Sequence, residues 1–187
     1  MKRNKILRLS QLAMLTALSV MLVVFVQFPI IPSAPFLRYD MADVPILIGT
    51  IIFGLPAGFS ILFVVSFFQA FLLGGDGFIG MMMHFVATGA MILVVGEACK
   101  KDKSVKRLII SMVLASVAMA AVMVPMNYMI TSKFYGMPKG AVASLILPAI
   151  LPFNLIKAGI NGALTIIILK IINPFLQRSK HIIGINK

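Results

Sequence analysis

Acidic residues are scarce in this chain. Its 187 residues include five Asp or Glu, two His, one Cys and no Trp. The lone Cys99 excludes an internal disulfide, and with so few thiols and imidazoles no Cys/His metal site can be assembled. Its default role is a small buried or interfacial apolar residue. Sequence patterns for hydrolysis are missing as well: there is no His-Glu-x-x-His, no Gly-x-Ser-x-Gly and no Gly-x-x-x-x-Gly-Lys-Ser/Thr phosphate loop. Tyr39-Asp40 with Gly74-Gly75-Asp76 faintly resembles the paired motifs of an intramembrane aspartyl protease. The position of the first glycine is Leu73, however, and both aspartates fall in proline- or glycine-rich loops. No catalytic residues are assigned, and the chain is read as a non-enzyme.

What is abundant is apolar. Hydrophobic residues make up 60% of the chain and charged ones 12%, with a mean hydropathy of +1.06, well above the ~45–50% apolar content of soluble domains. These values describe an integral membrane protein. The net charge of +12 could suit nucleic acid, but its placement argues against that partner. Thirteen of the 17 basic residues occupy three places. Lys2, Arg3, Lys5 and Arg8 precede the first apolar run; Lys100, Lys101, Lys103, Lys106 and Arg107 fill one loop; Lys170, Arg178, Lys180 and Lys187 lie at the end. That is the positive-inside distribution of a protein embedded in a lipid bilayer.

Apolar runs and their breakers predict an all-α membrane bundle of six transmembrane helices, spanning about residues 9–28, 42–53, 56–73, 78–99, 108–131 and 141–172, in a single domain covering 1–187. The first run, Leu12 to Phe28, is long for a signal-peptide core and lacks a small-x-small cleavage pattern, so it is read as a retained span. Pro29, Pro32 and Pro35 predict an extended loop after it. Gly54-Leu55-Pro56 and Gly74–Gly77 predict turns, and Asn173-Pro174 is expected to stop the sixth helix. Six crossings put all three basic clusters on one face, which predicts cytoplasmic termini, with the Pro35–Asp43 island, the Gly74–Gly77 turn and the Ser132–Gly140 loop outside.

Polar residues inside such spans cost free energy unless paired or solvated. Asn154, Lys157 and Asn161 stand at i, i+3 and i+7 and share an arc of roughly 60°, and Lys157 is the one basic residue that lies neither in nor beside a loop. Asn127 and Tyr128 follow Pro125, which leaves one carbonyl of the fifth helix without its donor. With the island residues Leu37, Tyr39 and Asp40, these groups lie at one depth and are expected to line an outward-facing pocket. His84 is read as a hydrogen-bonded bundle residue, and the 14 methionines as adaptable filler. Ala13-Met14-Leu15-Thr16-Ala17 is a small-xxx-small pattern that lets another helix approach closely.

Gln27-Phe28-Pro29, the Pro35–Pro45 island with its Leu-x-x-Asp-x-x-Asp-Val-Pro core, Gly49, Phe53-Gly54, Ala57-Gly58 and Pro152–Gly159 together resemble the S components of energy-coupling factor (ECF) vitamin transporters, within them the riboflavin-specific branch. The resemblance covers nearly the whole chain. It implies a non-enzymatic subunit that captures riboflavin from outside as a bound substrate, with no cofactor. It also implies work with a transmembrane coupling protein and two cytosolic ATPases, docked through Ala13 and Ala17. Leu37, Tyr39, Asp40, Asn127, Tyr128, Asn154, Lys157 and Asn161 would then form the substrate site. Asparagine amides suit the donors and acceptors of a flavin, while the absence of Trp leaves Leu, Phe and Met to sandwich the ring. An S component for thiamin or biotin would share every feature except the ligand. A small proton-coupled transporter would need a mid-span carboxylate, and none is evident.

Overall fold

The computed structural model describes residues 2–73, 76–134 and 136–183, with side chains for 5–73, 76–134 and 136–172. Gly74 and Gly75 of the expected turn, and Tyr135 of the expected loop, lie outside the described residues. The order is α1 (Lys2–Phe25), β1 (Gln27–Pro29), β2 (Arg38–Asp40), α2 (Asp43–Phe53), α3 (Leu55–Phe71), α4 (Gly77–Ala98), α5 (Val105–Phe134), α6 (Lys139–Leu145), a π-helical turn (Ile146–Ile150) and α7 (Leu151–Ile183). The last three form one continuous rod, so six helical rods build the bundle.

Four of them, within 5–25, 77–98, 105–134 and 139–172, are long and apolar enough to cross a membrane. The two others are short. α2 has 11 residues, about 16 Å of rise against a hydrocarbon core of ~30 Å. Its first nine residues, Asp43 to Ile51, are all buried, so it is an internal post enclosed by its neighbours. Val44, Leu47, Ile48 and Ile51 pack with apolar residues of α4, α5 and α7, and Ala42 and Ile46 pack with Val23 of α1 and Ile61, Leu62 and Val65 of α3. α1 is peripheral, with 11% of its apolar window buried.

Local chemistry explains the boundaries. Gly54 turns α2 into α3 at φ +91°, a conformation that side-chain-bearing residues rarely adopt, and Pro56 sits in the first turn of α3, where a missing N–H costs nothing. α5 begins three residues before the expected Leu108 because Ser104 caps it: its Oγ accepts the Arg107 N–H at 3.3 Å and donates to Asp102 at 2.9 Å. The Ser104 N–H and hydroxyl together hold the Asp102 carboxyl below the usual carboxylate range. Pro125 is accommodated inside α5. In the last rod, Pro152 has no N–H to return to the Pro148 carbonyl. The chain widens there by one residue, with the Leu151 N–H bonding to the Ile146 carbonyl.

Two expectations are corrected. The segment after α1 is not simply an extended loop: Gln27, Phe28 and Pro29 pair antiparallel with Asp40, Tyr39 and Arg38, so the fold carries a short hairpin and is not purely helical. Pro29 is tolerated because it lies on an edge. Asn173-Pro174 does not end the last helix, which runs on to Ile183. The hairpin connection is pinned by a separate apolar cluster, in which Ala34, Leu37 and Tyr39 pack on Val142, Ala149, Ile150 and Phe153. That cluster holds residues 30–40 over the end of the bundle.

Candidate functional site

Beneath the hairpin connection lies a cavity of about 480 Å³, within the ~300–1,000 Å³ typical of small-molecule sites. Its apolar wall comes from Phe36, Leu37, Met83, Met119, Met123 and Phe153; its polar wall comes from Asp40, Gln69, His84, Asn127, Asn154 and Lys157. With Gln27 of β1 also in the lining, six structural elements contribute, and the hairpin connection closes over them.

The central polar contact is an ion pair. Lys157 Nζ donates to Asp40 Oδ2 at 2.8 Å, and both residues are buried, at 6% and 1% exposure. At those burials an unpaired charge would be prohibitive. Asp40 is further held by the Ala42 N–H on Oδ1 at 3.1 Å and by Gln69 Nε2 on Oδ2 at 3.3 Å. Behind the cavity wall, Asp43 forms a second centre. Its Oδ1 accepts from Thr88 at 2.6 Å and from His84 Nε2 at 3.3 Å, and its Oδ2 accepts from Asn161 Nδ2 at 3.0 Å. With Nε2 donating to the carboxylate, His84 Nδ1 accepts the Ser66 hydroxyl at 3.1 Å.

The residues singled out in the sequence divide into three groups. Leu37, Asp40, Asn127, Asn154 and Lys157 line the cavity together. Tyr39 and Asn161 lie outside its lining, buried and bonded to each other: the Tyr39 hydroxyl donates to Asn161 Oδ1 at 3.0 Å, while Asn161 Nδ2 reaches the Asp40 carbonyl at 3.1 Å. They brace the hairpin against α7. Burial, aided by the neighbouring Asp40 carboxylate, pushes the Tyr39 phenol above its ordinary value, which keeps it a donor. Tyr128 is 37% exposed and stands outside the lining. One residue is 100° around a helix, so with Asn127 facing the cavity its neighbour turns away.

The amide nitrogens of Asn154 and Asn127 are already engaged, and Asn127 Oδ1 also accepts the Thr131 hydroxyl at 3.4 Å. Asn154 Nδ2 donates to the Ile150 carbonyl at 2.7 Å and Asn127 Nδ2 to the Met123 carbonyl at 2.8 Å. Their amide oxygens are thereby oriented away from their own backbones. Gln69 and the individual lining methionines were not marked by the sequence; Asp43 stands in the island and in its Leu-x-x-Asp-x-x-Asp-Val-Pro core but was not assigned to the site. Among the described residues no group of three His, Cys, Asp or Glu could hold a metal ion.

Residues 7–169 match the family described as the substrate-specific component of ECF transporters. This chain belongs to that family. The S component is 30% identical over 184 residues to the riboflavin transporter RibU of Staphylococcus aureus, covering 95% of both chains. It is 29% identical over 166 residues to the riboflavin transporter FmnP of Bacillus subtilis, covering 83% of this chain and 86% of the relative. Over 138 residues it is 35% identical to RibU of Lactococcus lactis, a match that takes in 72% of this chain and 65% of that protein's length. The solved structure of the S component of a bacterial ECF transporter superposes with a TM-score of 0.80 at 30% identity, covering 93% of this chain and 98% of that one. The S component is thus a multi-pass membrane protein of a transporter family, not an enzyme.

Proposed function

We propose that this S component captures riboflavin from the outside of the cell and delivers it for ATP-driven uptake by an ECF module, made of a transmembrane coupling protein and two cytosolic ATPases. The observation that carries the reading is the two-faced cavity. Met83, Met119, Met123, Leu37 and Phe153 offer a dry, adaptable slot for a tricyclic ring, and Asp40, Asn127, Asn154 and Lys157 offer donors and acceptors along one side. The relatives' riboflavin transport supports the same ligand. Tyr39 and Asn161 serve by fixing the hairpin and need not touch the ligand.

The direct test is mass spectrometry of small molecules extracted from the purified protein, with flavin absorbance as the rapid check. Riboflavin is the expected species, and thiamin or biotin in its place would overturn the assignment. Titration by quenching of flavin fluorescence then examines the wall. Asn154→Ala removes a cavity amide, a loss of ~1–3 kcal/mol, and is expected to weaken riboflavin binding about 5- to 150-fold. Wild-type affinity in that variant would move the ligand elsewhere.

The single bundle is oriented with both termini in the cytoplasm, so that the cavity opens outward. A cysteine placed at Lys139, which is exposed at the start of α6, is expected to react with an impermeant maleimide in whole cells. One at Lys103 should react only after permeabilisation. The opposite pattern would invert the protein and close the cavity to external substrate.

A further inference from the structure

Gln69, near the end of α3, has an amide whose two ends are in unequal circumstances. Its Nε2 faces Asp40 Oδ2 at 3.3 Å. Because an ionised carboxylate only accepts hydrogen bonds, the nitrogen must lie on that side, and the amide cannot be flipped without setting oxygen against oxygen. Asp40 is in turn anchored by Lys157 and the Ala42 N–H. The orientation of Gln69 is therefore dictated by the ion pair it adjoins, since its Nε2 and Lys157 Nζ share Asp40 Oδ2. Its Oε1 is left buried and has no hydrogen-bond partner among the described residues, the one side-chain nitrogen or oxygen among them in that condition. Gln69 also lines the cavity. A buried acceptor without a donor costs free energy that a native fold rarely leaves standing.

From this geometry we infer that Gln69 is a specificity-determining residue whose Oε1 accepts a hydrogen bond from an N–H or O–H donor of the bound ligand. The inference rests on the riboflavin reading of the cavity and adds a direction to it. The acceptor cannot become a donor, so a ligand edge made only of acceptors is rejected at this point. Riboflavin has two kinds of donor: the imide N–H of its uracil-like edge and the hydroxyls of its ribityl chain. Lys157 beside the same carboxylate donates only, so Gln69 and Lys157 together suit an edge on which donor and acceptor alternate.

The experiment is a binding cycle on the purified, flavin-free full-length protein, read by fluorescence quenching, with riboflavin, its N3-methyl derivative and lumiflavin, which lacks the ribityl hydroxyls. Gln69→Leu is expected to weaken riboflavin binding about 5- to 150-fold. For the flavin that lacks the partnered donor, the same substitution should cost less than about twofold. A vanishing penalty with the N3-methyl compound assigns the imide, and with lumiflavin a hydroxyl. An equal penalty for all three flavins would show that Gln69 merely steadies Asp40, and wild-type affinity in Gln69→Leu would show no contact; either overturns the inference. If Gln69→Leu fails to insert, the wild-type protein still decides: binding both analogues within twofold of riboflavin overturns the inference. Failure of the wild type to bind any flavin would instead remove the riboflavin reading itself.

Discussion

Asp40→Ala is expected to be the most damaging single side-chain truncation in the site. It strips Lys157, at 6% exposure, of the carboxylate 2.8 Å away, and removing one partner of a buried pair typically costs ~3–5 kcal/mol. The two halves of the pair are not equivalent. Without Lys157, Asp40 keeps the Ala42 N–H and Gln69 Nε2; without Asp40, the ammonium loses its one hydrogen bond among the described residues. Lys157→Met should therefore be destabilising but milder, and the double variant Asp40→Ala/Lys157→Met should be more stable than Asp40→Ala alone, because the ammonium that Asp40→Ala strands is removed with it. Denaturant titration of the four proteins in detergent micelles measures this order. Strictly additive losses would mean that the two residues do not stabilise one another. Flavin titration on the same set separates the structural cost from the loss of ligand contacts, since the double variant should fold well and bind poorly.

The second large effect lies on α1, which among the described residues contributes none to the cavity lining. Ala13 and Ala17 are exposed on α1, with Met14, Leu18 and Met21 beside them, on the least buried of the long helices. Small residues on such a face let another helix come close. Ala17→Trp is expected to abolish uptake of labelled riboflavin in whole cells while leaving its binding by the purified protein within twofold of wild type. Transport at the wild-type rate would exclude this face as the docking surface for the coupling protein. Lost binding would show that the substitution acts by disturbing the bundle.

The arc of Asn154, Lys157 and Asn161 was legible because polar side chains are rare in this chain and a helical period of 3.6 is easily recognised. What they contact was not. The partners of Lys157 and Asn161 lie 117 and 118 residues away in Asp40 and Asp43, and no local pattern encodes such a distance. The sequence marks His84 as a hydrogen-bonded bundle residue, and it does bond Ser66 and Asp43; the same limit hid which carboxylates His84 and Gln69 reach, 41 and 29 residues earlier. The hairpin escaped for a different reason. Its strands are three residues long, one contains proline, and no tight-turn pair joins them, so neither alternation nor turn chemistry announces it. Helix ends were closer, because Gly54 and the basic clusters act locally, although the Ser104 cap that starts α5 three residues early was passed over.

The π-helical turn at Ile146–Ile150 gives the last rod one residue of slack. In ordinary α-geometry an added residue would rotate everything after it by about 100°. Here the wider turn takes up that residue, with the Leu151 N–H reaching back to the Ile146 carbonyl, so Asn154 and Lys157 keep their bearing toward Asp40. Deleting one residue between 146 and 150 would leave that bearing nearly unchanged but would remove the room that seats Pro152, which fits poorly inside a regular α-helix. At this place the chain is tuned by count: the spare residue lets a proline stand one turn before the site without turning the last helix away from it.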